Sequence, residues 1–276
     1  MRKAKDKTLK FLMSLCAAVT CLLLIGLIGY MLYRGIPGIN AKFLTTQTSY
    51  ISDSIGILPN ILNTLYLIVL VMIIVVPLGV GAAVYLTEYA SNKRISNAIG
   101  FAVETLTGIP SIIFGLVVML FFTQILGLRQ GILAGSLTLI IMVLPTVISN
   151  TKESLLAVPQ SYREGALALG SGKWHMVRTV VLPNAVDGIV TGCILAVGRV
   201  VGESAALLFT AGFGLKLLGF AEALQSSAAS LTVALYIYAS EEGKFDVAFS
   251  IAVILICITL IINLAASLVG KKVRKS

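Results

Sequence analysis

Arg199 and Glu203 carry opposite charges inside residues 188–212, a stretch otherwise free of charged side chains. An arginine near mid-bilayer costs about 2.5 to 3.5 kcal/mol even on the lenient insertion scale, so it calls for a partner or a polar pathway. Glu203 follows at the four-residue offset that brings two side chains to one helix face, where a charge-assisted pair can form. Two uses fit this spacing. The pair can be a buried tie that holds a bundle together, or the guanidinium can present its planar paired donors to an oxyanion. An arginine fully neutralised by Glu203 attracts an anion poorly. The second use therefore requires the pair to open, Glu203 to share a proton, or another positive group to come from a partner.

Other chemistries lack their parts. One histidine, His175, stands beside Trp174 in a loop, where interface or loop duty explains it. The four cysteines, Cys16, Cys21, Cys193 and Cys257, have no C-x-x-C spacing, so a His-rich or Cys-built metal centre is not expected. An intramembrane serine protease needs a buried Ser and His pair, and a membrane metalloprotease needs His-Glu-x-x-His. Neither pattern is present, nor is a glycine-rich loop ending in Gly-Lys-Ser or Gly-Lys-Thr. No catalytic residue and no bound cofactor is assigned, and any ATP-driven cycle takes its hydrolysis from another chain.

The elements that must position the pair are membrane spans. Of 276 residues, 58% are hydrophobic and 12% charged, with a mean hydropathy of +0.99. That is about half the charge of a soluble domain, which excludes a solvated globule, a disordered tail and a nucleic-acid module. Crossing the hydrocarbon core takes roughly 20 helical residues. Six stretches meet that length: 11–33, one within 54–87, 99–126, 131–150, 188–212 and 247–270. The first follows a basic head and is too long for a signal h-region, so it is expected to stay as an anchor. The chain thus divides into a head, 1–10, and an all-α, six-helix polytopic domain, 11–276.

Placing the amino terminus inside the cell puts 15 basic residues on the inner side and 5 (Arg34, Lys42, Arg129, Lys216 and Lys244) on the outer side. The positive-inside rule then predicts both termini in the cytoplasm of a multi-pass protein. Most of the net charge of +9 is a topology signal; contact with anionic lipid is an additional use. The outer segment 213–246 is largely small and apolar, with a short helix expected over 231–239.

The inner segment 151–184 mixes charged and apolar positions. Pro159 suits the first turn of a helix and Gly170 its stop, while Tyr162, Ala166 and Leu169 share a face by their offsets. A second short helix is expected from Lys173 to Val181, before Pro183. Physics alone leaves two uses open, packing beneath the bundle or docking a partner.

Glu164-Gly165-Ala166, then Gly170, then Val180-Val181-Leu182-Pro183 match in spacing a cytoplasmic signature of binding-protein-dependent importer permeases, with Gly165 for an alanine and Val180 for an isoleucine. Gly108-Ile109-Pro110-Ser111 and the run from Gly198 to Gly212 extend the likeness, so that nearly the whole chain resembles the PstA-type permeases of phosphate importers. It departs from their pattern at Val200, Val201 and Ser204, and at Ala206, where proline is common. The resemblance implies a type I ABC importer permease fold in the cell membrane. It implies that Pro159, Tyr162, Arg163, Glu164, Gly165, Ala166, Gly170, Leu182 and Pro183 belong to a loop coupling the chain to an ATPase, and that Arg199 and Glu203 lie on the substrate pathway. The implied partners are a PstC-type permease forming a heterodimer, two cytosolic ATPase subunits that use ATP and Mg, an extracytoplasmic phosphate-binding protein, membrane lipid and the substrate, inorganic phosphate. Another oxyanion, sulfate or molybdate, is the alternative substrate; a stand-alone anion carrier or channel, or a scaffold, would need no coupling segment.

Remaining polar features divide between structure and pathway. Gly108, Pro110 and Ser111 predict a kink in the third span, as a packing device or a gate, and Pro77 with Gly79 and Gly81 raises the same choice in the second. Ser111, Thr146, Ser149 and Asn150 can bond within the bundle or touch solute. Glu104 is expected to pair with Lys93 or Arg94, and Asp187 to cap the fifth span.

Overall fold

The computed structural model describes residues 2–49, 54–90 and 92–275, with side chains described over 6–49, 54–90, 92 and 94–272. Lys93 and the outermost basic residues of the head and tail (Arg2, Lys3, Lys5, Arg274 and Lys275) have side chains outside that set. In chain order the helices are α1 (Arg2–Gly35), α2 (Ala41–Thr45), α3 (Leu58–Val84), α4 (Lys93–Gly108), α5 (Ser111–Leu120), α6 (Ile132–Leu156) and α7 (Gln160–Ala168). They continue with α8 (Lys173–Met176), α9 (Leu182–Gly202), α10 (Ala205–Thr210), α11 (Phe220–Ala223), α12 (Leu231–Tyr236) and α13 (Phe245–Lys275). Wide π turns extend α3 through Tyr85–Tyr89, α5 through Phe121–Ile125 and α12 through Ile237–Glu241, and fuse α8 to α9 through Val177–Val181. Between α2 and α3 lies an antiparallel hairpin, β1 (Gln47–Ser49) with β2 (Ser54–Ile57), in which Gln47 faces Ile57 and Ser49 faces Ser54.

Among the described residues, five rods are long and apolar enough to cross a membrane: Asp6–Gly38, Leu58–Tyr89, Ile132–Leu156, Lys173–Gly202 and Phe245–Lys272. The sixth expected span is not one helix. Its halves, Arg94–Gly108 and Ser111–Ile125, are bent by 106° from a straight rod. Pro110 forces the residue before it out of the helical region, and Ile109 is extended, at φ −76° and ψ 128°. The kink expected at Gly108, Pro110 and Ser111 is therefore a corner, with Gly108 and Pro110 exposed and Ser111 half-buried.

Pro183 corrects the reading in the opposite direction. It was expected to close a helix ending at Val181, yet the rod runs unbroken from Lys173 to Gly202, with Pro183 in the first turn of α9 two residues past a π turn. The π turn before it keeps the backbone helical, and Leu182 N–H reaches Val177 O. Asp187 consequently lies within α9, past its first turn, and does not cap its start. Glu104 is exposed on α4, and among the described residues it forms no ion pair with Arg94.

Small residues set the close approaches of the bundle, as expected where apolar packing alone joins helices. An added Cβ at Gly79 of α3 would lie 2.7 Å from Val147 of α6. Gly192 of α9 backs onto Asn150 of α6, Gly188 onto Ser154, Gly270 of α13 onto Val190, and Gly115 of α5 onto Ala206 of α10. The main core spans α3, α6, α9, α10, α12 and α13. A smaller one, with Ala83, Val84, Leu155, Val158, Met176, Val177, Val181 and Ala185, lies beside α7. At the far end of the bundle, the hairpin end, α1 packs against the start of α13, where Gly35 meets Phe249 and Val253.

Candidate translocation site and docking loop

α9 runs antiparallel to α6, with Gly188 level with Ser154 and Gly192 level with Asn150. Carried along the same register, Arg199 comes level with Val143, near the middle of α6. The expected mid-height arginine is thus in place, in the last turn of α9. Its partner is not. The helix ends at Gly202, and Glu203 is extended at φ −79° and ψ 120°. Its carboxylate Oε1 accepts the N–H of Ala206 at 3.0 Å, at the start of α10. Its backbone carbonyl accepts the Thr232 hydroxyl at 2.8 Å.

The same-face pair inferred from the four-residue offset is therefore corrected, because the offset brings side chains together only within a continuous helix. The half-buried Arg199 makes no ion pair or hydrogen bond within the chain among the described residues, and Glu203 is half-buried too. Ala206 supplies the N–H that holds the Glu203 carboxylate, which a proline there would lack.

The break is braced from the hairpin end by the segment before α12. Asn60 and Asn63 of α3 both donate through Nδ2 to Ala229 O, at 3.0 and 3.1 Å. The Leu231 N–H donates to Thr64 Oγ1 at 2.9 Å. Ser230 caps α12 by accepting the Val233 N–H at 3.2 Å. Thr232, one residue past Leu231, then reaches Glu203. These polar residues of α3 and α12 were missed in the sequence; their signal is hydrogen-bonding side chains at the hairpin end of an apolar rod and in an apolar loop. The groove beside the break has a volume of about 270 Å³ and is lined by Gly198, Val201, Gly202 and Thr232, with Leu255 and Thr259 of α13.

The loop that carries α7 lies at the other end of α9, about 25 Å from Arg199 by helical rise. Pro159 precedes the first residue of α7, and Gly170 takes φ +83° beyond its end. There the Gly170 N–H reaches Leu167 O and the Ser171 N–H reaches Ala166 O, closing the open carbonyls of the helix. The expected shared face divides. Ala166 is half-buried and leans on the smaller core, while Tyr162 is exposed and Leu169 is 91% exposed. Glu164 and Gly165 are exposed as well, and Leu167 and Trp174 add apolar surface. Leu182 is half-buried and Pro183 exposed at the head of α9.

Arg163 faces inward. Its Nε and Nη2 donate to Glu88 Oε1 at 3.0 and 2.9 Å, and its Nη1 and Nη2 donate to Val158 O and Leu155 O at 2.7 and 2.8 Å. The side chains of Arg163 and Glu88 are 11% and 6% exposed. Glu88 was missed, although an acid directly after the uncharged residues 54–87 was its visible signal.

Comparison with known proteins agrees with this architecture. A probable ABC transporter permease protein, YqgI of Bacillus subtilis strain 168, is 36% identical over 287 residues, covering 99% of this chain and 98% of the relative. The phosphate transport system permease protein PstA of Xylella fastidiosa strain Temecula1 is 35% identical over 181 residues, covering 66% of this chain and 63% of that protein. Among solved structures, a bacterial alginate ABC transporter in complex with alginate pentasaccharide-bound periplasmic protein superposes at a TM-score of 0.69, with 16% identity over 100% of this chain and 98% of that one. This likeness establishes the type I ABC importer permease fold. The model of the binding-protein-dependent transport system inner membrane component matches residues 75–275, and the chain belongs to that family.

Proposed function

We propose that this chain is the permease subunit of an ATP-driven inorganic phosphate importer, and that Arg199 is the group on which the anion rests. The observation that carries the reading is the half-buried Arg199 at mid-height, unpaired among the described residues, with Glu203 turned away to α10. Planar paired donors match phosphate oxygens, and no charge from Glu203 cancels them at contact distance. The likeness to PstA supports phosphate among the oxyanions.

In this reading the chain lines the path together with a second, PstC-type permease. Its termini and α7 face the cytoplasm, and the exposed Tyr162, Leu167 and Leu169 dock an ATPase subunit. Two such subunits bind ATP and Mg, and an extracytoplasmic phosphate-binding protein delivers the anion. Transport follows from differential contacts in inward-open and outward-open states. The corner at Gly108 to Ser111 lets α4 and α5 move as separate gate elements.

Phosphate uptake by vesicles holding the complete complex tests the reading. Arg199→Ala should abolish uptake with assembly intact, and Arg199→Lys should stay poor, since an ammonium keeps the charge and loses the fork. Parental uptake by Arg199→Ala across the phosphate range would leave Arg199 with a structural role. Competition by sulfate and molybdate during the same assay separates phosphate from the other oxyanions.

A further inference from the structure

Arg163 and Ala166 are the two residues of α7 that are not exposed, so the helix holds the bundle through very little. Ala166 supplies one methyl to the smaller core. Arg163 supplies the side-chain hydrogen bonds. Its guanidinium binds the carboxylate of Glu88, beyond the end of α3, and the carbonyls of Leu155 and Val158, at and just past the end of α6. A charge-assisted pair with two donors on one carboxylate fixes direction as well as distance.

The far side of α3 carries a second set of contacts. Asn60, Asn63 and Thr64 hold Ala229 and Leu231, and Thr232 holds the carbonyl of Glu203 at the break beside Arg199. One rod, with Pro77 inside it, therefore touches the docking helix at one end and the braced helix break at the other. Proline within a helix removes a backbone bond and gives the rod a point at which to bend.

We propose that Glu88 and Arg163 form the clasp that passes motion of the docking helix into α3, and through α3 to the break that presents Arg199. Glu88 is then a positioning residue, remote from the anion and from the docking surface. The proposal rests on the importer reading and adds a route within this chain. Packed rods and hydrogen-bond networks with two arrangements are the physical means by which separated sites couple, and the coupling itself has to be measured.

Removing one partner of a buried pair strands the other charge, so the first variant is Glu88→Gln, which keeps an oxygen for Arg163 and loses the charge. In vesicles with the ATPase, the partner permease and the phosphate-binding protein, the ATPase should still co-purify with the Glu88→Gln complex. The ratio of stimulated to basal ATP hydrolysis should fall about five-fold or more, with phosphate uptake falling alongside, at the lower edge of usual coupling between sites. Glu88→Asp, which retains the carboxylate, should recover part of the loss. Thr232→Val removes the hydroxyl at the other end of the route, and the double variant should lose less than the product of the two single effects, because both interrupt one pathway.

A parental ratio in Glu88→Gln, independent multiplicative losses in the double variant, or release of the ATPase from Glu88→Gln would each overturn the clasp. In the last case the pair builds the docking helix and does not transmit its motion. If the parental complex itself neither retains an ATPase nor imports phosphate, the importer reading fails and the clasp falls with it. A working parent with an unaffected Glu88→Gln variant sinks the clasp alone.

Discussion

Glu203 serves as a local cap where its spacing pointed to an ion pair, and that difference is measurable. An acceptor that takes a helix N–H at an N-terminal position contributes about 0.5 to 2 kcal/mol relative to alanine, whereas the charge at a helix N-terminus adds about 0.3 to 1 kcal/mol. Glu203→Ala should therefore unfold at a lower temperature than Glu203→Gln in detergent, with both below the parent. An order with glutamine below alanine would show that the carboxylate does something other than cap α10. Arg199 was legible because a charge in an apolar run is conspicuous. The fate of its neighbour was hidden, since Gly202 is the one stop signal in Val200-Val201-Gly202-Glu203 and a lone glycine is common within membrane helices. Arg163 was legible as part of the coupling signature but not as a buried residue. Its partner lies 75 positions away, and no local pattern joins the two.

Among the elements, the corner between α4 and α5 has a cause that can be removed. Pro110→Ala lifts the steric restriction on Ile109, so the bend between the two helices should fall from 106° toward a straighter rod. Spin labels on the exposed Phe101 and Val117 positions should move apart in Pro110→Ala, and an unchanged distance would assign the corner to packing of α5 against α10. Long apolar runs gave away the rods, because the bilayer imposes their length. Their interruptions were harder. Pro110 forms a corner while Pro77, Pro145 and Pro183 stay within helices, so the residue type alone does not tell a corner from a continuous rod. The short helix of 231–239 was recovered as α12 and its π turn, and Ser230 is its cap.

For the molecule as a whole, the sidedness drawn from charge is a proposal with a direct check. In a background without Cys16, Cys21, Cys193 and Cys257, a cysteine at Lys42 or Lys244 should react with an impermeant thiol reagent on intact cells, and one at Lys93 or Lys173 should not; the reverse pattern would invert the molecule. The contact between α1 and α13 has its own consequence for how the bundle is made. The Ser250 hydroxyl donates to Gly35 O at 2.9 Å across a separation of 215 residues, and the most apolar stretch of α1 has no buried residue. During synthesis at about 5 to 20 residues per second, the first rod waits roughly 10 to 40 s for its neighbour to be made. Throughout that interval lipid, or an insertion factor, is its surrounding. Closure of the bundle at this seam is thus a late event in biogenesis, and a ribosome stalled before α13 leaves the earliest rod without its seat.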